Sequence, residues 1–549
     1  MNPLASSKSA GGLLVALAMA SISLMTACGS SNNIVTPNQG NFGDGNLTGT
    51  YVIAISGTDV NANDDGVPFA IAGIIAANGT GGITGGTLDI NDPLNIGVDP
   101  GEAVSASSTY EVGTDGRGTA TLVTPVGSFN FDFVLTTSSH GLISRFDTLG
   151  TGSGTIDLQT SVTSLTGSYA FSLAGADPAD NPLGTAGAFT LNGNSLSGTE
   201  DFNDDGTSNN LTGLTLNGQL ALGASGAPGT ATLTSSFGSL GFDVWVIDST
   251  HLKFIETDET GDVLVGDAFT QVTSFTAGQL VFVLGGMDSA QDPVSVGGYT
   301  TTDANGDLTN GFEDYNDAGT VDLLKPFSTS AASCAAGRCQ LTLAGFTNGL
   351  EANLVFVVYP SSGGDQALEI DDSGLLQGAF FSQSATAFTG SGGYGLNFSG
   401  QNNVPDGGGI VNDIAQFNAG APDTSLTGPA NMTGVLDESG LGVAPITSSV
   451  SGEYVPDPNP DGRGTISSTN PGTELGGFTL QYYVIDASTV VFVDVDSLAN
   501  DDGVAQLGVG TFAAQSSSGG QALPAAAAAQ SRIAIIHPTI RSHGAFQHK

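Results

Sequence analysis

Residues Phe131 to Asp147 read FDFVLTTSSHGLISRFD, and Phe242 to Asp258 read FDVWVIDSTHLKFIETD; the two align without a gap. Phe131 and Phe242, Asp132 and Asp243, His140 and His251, Asp147 and Asp258 fall in the same places. A third copy, Leu480 to Asp496 (LQYYVIDASTVVFVDVD), keeps the frame, and a looser one runs from Leu354 to Asp372. Each copy alternates apolar and polar residues, as at Phe129, Phe131, Phe133 and Leu135, turns, and runs apolar again to an Asp, which is the pattern of a β-hairpin. A chain that repeats this unit folds as a tandem array of related β domains.

The repeats have recognisable ends. Leu47 to Gly57 opens the first as a glycine-bounded strand, with counterparts at Leu165 to Gly175, Thr276 to Gly286 and Gly392 to Gly400. Each closes on Gly-x-x-x-x-Gln, beginning at Gly154, Gly266, Gly378 and Gly510. Between these ends the first repeat offers strands near Pro68 to Ala76, Ile83 to Ile90, Ser107 to Gly113, Gly118 to Val123, Ser128 to Leu135 and Gly141 to Asp147. Opening and closing strands bring the number to about eight. Short sequential hairpins favour an up-and-down meander, and closing it removes the edges that an array would expose. The expectation is an all-β chain of four small antiparallel meander β-barrels in a row; the alternative is an immunoglobulin-like β-sandwich array, which usually has seven strands per domain. The divisions expected are a signal peptide over 1–27, a tether over 28–45, barrels over 46–160, 164–272, 275–384 and 388–516, and a low-complexity basic tail over 517–549.

The N-terminus carries one basic residue, Lys8, then an apolar run from Gly11 to Met25, which is the pattern of an export signal. Met25-Thr26-Ala27-Cys28 resembles the lipobox of bacterial lipoproteins. The resemblance implies cleavage before Cys28, a diacylglycerol on its sulfur, and an address at the outer membrane or cell surface. With Cys28 lipidated, Cys334 and Cys339 remain as an even pair in an oxidising compartment. Alignment with Gly113 to Gly118 places them either side of a hairpin tip, on facing antiparallel strands within disulfide reach.

All 53 Asp and Glu residues lie between Cys28 and Gln515, where only Arg117, Arg145, Lys253, Lys325, Arg338 and Arg463 are basic. A field of that sign repels phosphate backbones and anionic lipid, so nucleic acid is not an expected partner. A motif, Asp-x-Asn-Asp, recurs at Asp89, Asn91 and Asp92, at Asp201, Asn203 and Asp204, and at Asp314, Asn316 and Asp317, decaying to Asp437-Glu438-Ser439-Gly440 in the fourth repeat. Alternating carboxylate and amide oxygens suit a structural calcium ion, although Asn and Asp also serve ordinary turns. His140 and His251 occupy a turn position that holds Thr489 in the fourth repeat, and each reads as a turn residue. Asp115-Gly116-Arg117-Gly118 and Asp461-Gly462-Arg463-Gly464 read as tight hairpin turns. No phosphate loop, nucleophile elbow or zinc spacing occurs.

Gly49-Thr50-Tyr51 and Gly167-Ser168-Tyr169 resemble the Gly-x-Trp opening of lipocalins, and the repeat length is similar to avidin, which implies that style of barrel and no ligand. As a whole the chain resembles the Gly-rich tandem-repeat lipoproteins of environmental bacteria, a likeness that implies an envelope address and no activity. The functional expectation is a non-enzymatic, lipid-anchored envelope protein, an acidic spacer or adhesive stalk meeting a surface glycan or protein. Its alternatives are a carrier of small apolar ligands inside the barrels and, third, a glycan-acting enzyme.

Overall fold

A computed structural model of the chain describes residues 41–517, apart from 61–65, 205–210, 225, 259–260, 304–306, 310, 330–332, 345–352, 389–391, 405–408, 421–429, 460, 469–477 and 498–504. The signal peptide, Cys28, most of the tether and the basic tail lie outside the described residues.

Among the described residues the regular structure is strand throughout, beyond a single 3-10 turn at Asp44–Asn46. Four antiparallel meanders follow one another, nearly every strand pairing with its sequence neighbour and the first of each with the last. That connectivity makes barrels and excludes the sandwich array. The second barrel runs from Gly167–Ala176 to Val263–Thr270 and the fourth from Gly392–Val404 to Ala505–Ala514, each with eight strands. The third, from Gly278–Asp288 to Gly374–Ser382, closes where Thr320–Thr329 meets Arg338–Ala344, with the short strand Ser333–Ala335 as an appendage.

The first barrel adds an edge strand to the expected set of about eight. Gly97–Ala103 is a ninth strand, paired on one side with Ile83–Asp92. Its Asp99-Pro100-Gly101 core shows no alternation, and proline is tolerated because the strand stands at a sheet edge. The barrel closes beside it, where Thr109 of the last strand in the sheet bridges Gly82 at the start of Ile83–Asp92.

The repeated Gly of the closing motif has a steric cause. Gly154, Gly266 and Gly378 lie opposite Ile55, Leu173 and Leu284 of their opening strands. A Cβ on any of them would come within 1.8 to 2.1 Å of a backbone oxygen there. Each barrel encloses its own core, such as Tyr51, Ile53, Ile55, Phe131 and Phe133 in the first and Phe282, Tyr315, Phe356 and Phe380 in the third.

Several strands are apolar on both faces, and their outer faces pack barrel against barrel. Val52, Ala72 and Ile74 of the first meet Trp245, Ile255 and Val265 of the second. Ala170 and Ala186 of the second meet Val357, Tyr359 and Leu368 of the third. Val281, Val283 and Phe381 of the third meet Tyr483, Val491 and Val493 of the fourth. Ile414 of the fourth then meets Val134 and Leu142 of the first. The succession of joints closes on itself, so the barrels form a ring and not the expected row.

Candidate functional site

The residues that the sequence repeats are gathered at these joints. The Asp-x-Asn motif stands on a strand, not in a loop: on Ile83–Asp92, Ser195–Asp204 and Gly311–Asp317. Alternation along the strand sends the middle residue, Ile90, Phe202 or Tyr315, into its own core. The flanking Asp and Asn therefore face outward, against the next barrel, where all six are buried.

The Asn amides act as staples. Asn91 Nδ2 donates to the carbonyls of Glu256 (3.2 Å) and Asp262 (2.9 Å). Asn203 Nδ2 donates to Glu369 O (3.0 Å) and Gly374 O (2.7 Å), and Asn316 Nδ2 to Asp494 O (3.2 Å), Asp496 O (3.0 Å) and Gln506 O (3.1 Å). Such contacts satisfy strand-end carbonyls that packing has cut off from water.

The Asp carboxylates meet donors from the next barrel. Asp314 holds the Arg463 guanidinium in a two-pronged pair, Nε to Oδ2 at 2.6 Å and Nη2 to Oδ1 at 2.8 Å, and accepts the Tyr483 hydroxyl. Asp201 does the same with Arg338, at 2.9 and 2.6 Å, and Tyr359. At the first joint Pro228 stands where the other hairpin tips carry Arg, and Trp245 Nε1 takes over, 2.6 Å from Asp89 Oδ2. At the closing seam Val134 replaces the aromatic and Arg117 reaches Asp437 at a looser 3.6 Å. The Arg of each Gly-Arg pair is thus a joint residue as well as part of a turn. The preceding Gly keeps the turn role, with φ of 86°, 80° and 87° at Gly116, Gly337 and Gly462.

The closing glutamines also cross the joints. Gln159 Nε2 donates to Val246 O (2.8 Å), Gln383 Nε2 to Val484 O (2.7 Å), and Gln515 Nε2 to Asp115 O (2.7 Å) and Leu135 O (2.9 Å). Main-chain bonds run beside them: Thr160 N to Ile247 O, Val272 N to Pro360 O, Ser384 N to Ile485 O and Ser516 N to Thr136 O. The last of each set joins the fourth barrel to the first, which makes the seam a quasi-equivalent of the other joints.

A calcium ion at the motif would have to displace these donors. Among the described residues no group of three or more His, Cys, Asp or Glu is arranged to hold a metal. The three terminal Asp residues stand apart from the staples. Asp92 accepts from Asn95 N at 3.0 Å, Asp204 pairs in register with Leu183, and burial, then Asp288 and Asp292, push Asp317 up to about 6.

His140 and His251 begin strands and are buried, 2% and 6% exposed, which corrects their reading as turn residues. His140 Nδ1 lies 2.6 Å from Asp157 Oδ1, and His251 Nε2 lies 2.5 Å from Asp267 Oδ1, which also accepts Lys253 Nζ at 2.9 Å. Burial alone would raise both carboxyls. The His140 ring, then Lys253 and His251, hold Asp157 well below the usual range, and Lys253 with His251 lowers Asp267. Cys334 and Cys339 face each other across the Ser333–Ala335 hairpin and are joined as a disulfide, with Cα atoms 4.0 Å apart.

No family model matches the chain, and no curated protein matches it. Among solved structures, a double mutant of transferrin-binding protein B from Haemophilus parasuis Hp5 aligns at 11% identity over 70% of this chain and 86% of that one, with a TM-score of 0.18. A single mutant of the same protein aligns at 11% identity over 68% and 83%, with a TM-score of 0.19. A putative AttH from Nitrosomonas europaea aligns at 8% identity over 75% and 94%, with a TM-score of 0.13. Likeness at this level carries no argument about what the chain does.

Proposed function

We propose that the protein is a non-enzymatic, lipid-anchored envelope protein at the outer membrane or cell surface, whose ring of barrels presents an acidic interaction surface to a cationic protein or glycan partner. The observation that carries this reading is the placement of the body's six basic side chains. Arg117, Arg145, Lys253, Lys325, Arg338 and Arg463 each pair with an Asp, and Arg145, Lys253 and Arg463 are buried. With the cations engaged in this way, the outer face is left almost wholly anionic, which favours positively charged partners and disfavours nucleic acid. A row of barrels would supply reach. A closed ring supplies several related faces at fixed spacing, so avidity is favoured over the spacer role.

The anchor is tested by Cys28→Ser, which should move the protein from the membrane to the soluble fraction; unchanged membrane association would refute it. The surface reading predicts partner capture that weakens steeply with salt, because exposed charges are screened over roughly 8 Å at physiological ionic strength. Capture that salt leaves unchanged would count against it. The carrier reading has one observation in its favour, a cavity inside the fourth barrel.

A further inference from the structure

The fourth barrel differs from the other three in one interior layer. In the first, Ile55 pairs with Ile71 and Ile71 with Ile90. The same positions hold Leu173, Thr185 and Phe202 in the second barrel, and Leu284, Val296 and Tyr315 in the third. In the fourth they hold Phe398, Asp413 and Glu438. Two carboxyl groups therefore stand where the other barrels carry a wholly or mainly apolar layer.

Asp413 is 3% exposed, and its Oδ1 has no hydrogen-bond partner among the described residues. It lines a largely apolar cavity whose walls include Phe398, Phe417, Met432 and Phe492, and Asp494 and Gln506, whose Oε1 also lacks a partner among the described residues, line the same space. The centre of a water-sized sphere can move through about 50 Å³ of it, room on that measure for about three to five waters. A buried acceptor without a donor is costly, and a partner bound there would relieve that cost. The body's basic side chains are engaged with other carboxylates, so among the described residues no cation is paired with Asp413.

We propose that the fourth barrel binds a small organic ammonium compound, its alkyl body among the Phe, Leu and Met side chains and its ammonium group donating to Asp413 and Gln506 Oε1. The inference rests on the carrier reading of this barrel and is independent of the lipid anchor. Burial, then Glu438 and Asp437, hold Asp413 well above the usual carboxylate range. An arriving ammonium ion favours the ionised carboxylate, and the two form an ion pair. Such a pair is strong where water is excluded, and the uncharged analogue cannot form it.

The reporter is Met432, one of five methionines in the chain. Full-length protein carrying methyl-13C methionine is titrated with n-butylammonium chloride, 1-butanol and sodium butyrate, and Met432→Leu assigns the cavity resonance. Butylammonium should shift that resonance saturably at a concentration at least about tenfold lower than butanol, butyrate should leave it in place, and Met287 should not move with any of the three. Asp413→Val, which restores the residue type of Val296, should abolish the preference for the amine without weakening butanol. Equal binding of butanol and butylammonium would overturn the ammonium assignment while leaving a carrier. No saturable shift with any compound would overturn both. A preference surviving in Asp413→Val would also overturn the assignment, and if that variant does not fold, the comparison of the three compounds on the unaltered chain decides.

Discussion

Raising the pH should loosen the joint between the first and second barrels. Asp89 is fully buried there, accepts from Gly101 N at 2.9 Å and Trp245 Nε1 at 2.6 Å, and lies against Asp243. Burial first, then the Asp243 carboxyl, push Asp89 up to about 7, and burial raises Asp243 as well. A carboxyl whose folded value exceeds its unfolded one holds its proton more tightly in the folded state. Its contribution is therefore complete below the unfolded value of 3.8 and is lost as the pH rises through about 7. A rise of about three pH units corresponds to roughly 4 kcal/mol, counted once because the two carboxyls share the site. Trp245 is the only tryptophan and is 1% exposed, so its emission reports this joint. The urea midpoint read from that emission should fall between about pH 5 and about pH 8.5. Asp59, Asp132 and Glu200, each pushed up to about 7 mainly by burial, add dependence of the same sign elsewhere. Asp89→Asn, neutral at every pH, isolates the joint and should be flatter by most of the calculated amount. A midpoint that holds or rises with pH in the unaltered chain, or the same slope in Asp89→Asn, would refute the reasoning.

The joints should differ in strength. Asp314→Ala strips a buried guanidinium of its two-pronged partner, leaving it Asp457, and leaves the Tyr483 hydroxyl only the Gly297 carbonyl at 3.0 Å, so calorimetry should show a loss of roughly 3 kcal/mol; Asp437→Ala at the looser seam should cost less, and equal losses would contradict the ranking. Alkylation of the denatured, unreduced protein should leave Cys334 and Cys339 unmodified. Removing their bond should cost about 2 kcal/mol and be felt at the short hairpin alone, because the closed loop is so small. A calcium chelator should leave the melt unchanged, since Asp89, Asp201 and Asp314 already bind protein donors; a chelator-sensitive melt that Asp201→Ala abolishes would restore the calcium reading.

Local pattern made much of the architecture legible. The returning hairpin showed how the chain repeats, the short turns indicated meanders, and the alignment of Cys339 with Gly118 placed the disulfide. The strand Gly97–Ala103 escaped because its Pro and Gly mimic a loop. The role of the motif escaped for another reason: a period of two puts Asp89 and Asn91 on one outward face, yet says nothing of what covers that face. One signal was present. Leu280 to Leu284 reads LVFVL, and Phe69 to Ala77 reads FAIAGIIAA, runs with no polar alternate, as strands buried on both faces do. A barrel wall standing alone in water would have alternated.

Repetition, strand type, turn chemistry and the sign of the charge are properties of neighbouring residues, and the sequence alone determined them. Only the tertiary structure decided that the barrels close into a ring, that the Asp-x-Asn residues and glutamines are the joints, and that Asp413 and Glu438 share one layer inside the fourth barrel. The ring and its joints depend on surfaces meeting across long stretches of chain, as far apart as Asp115 and Gln515, and the shared layer depends on the register of neighbouring strands. Residues that meet there, such as Asp314 and Arg463 through side chains or Ser516 and Thr136 through the main chain, carry no mark of one another in the order in which they are joined.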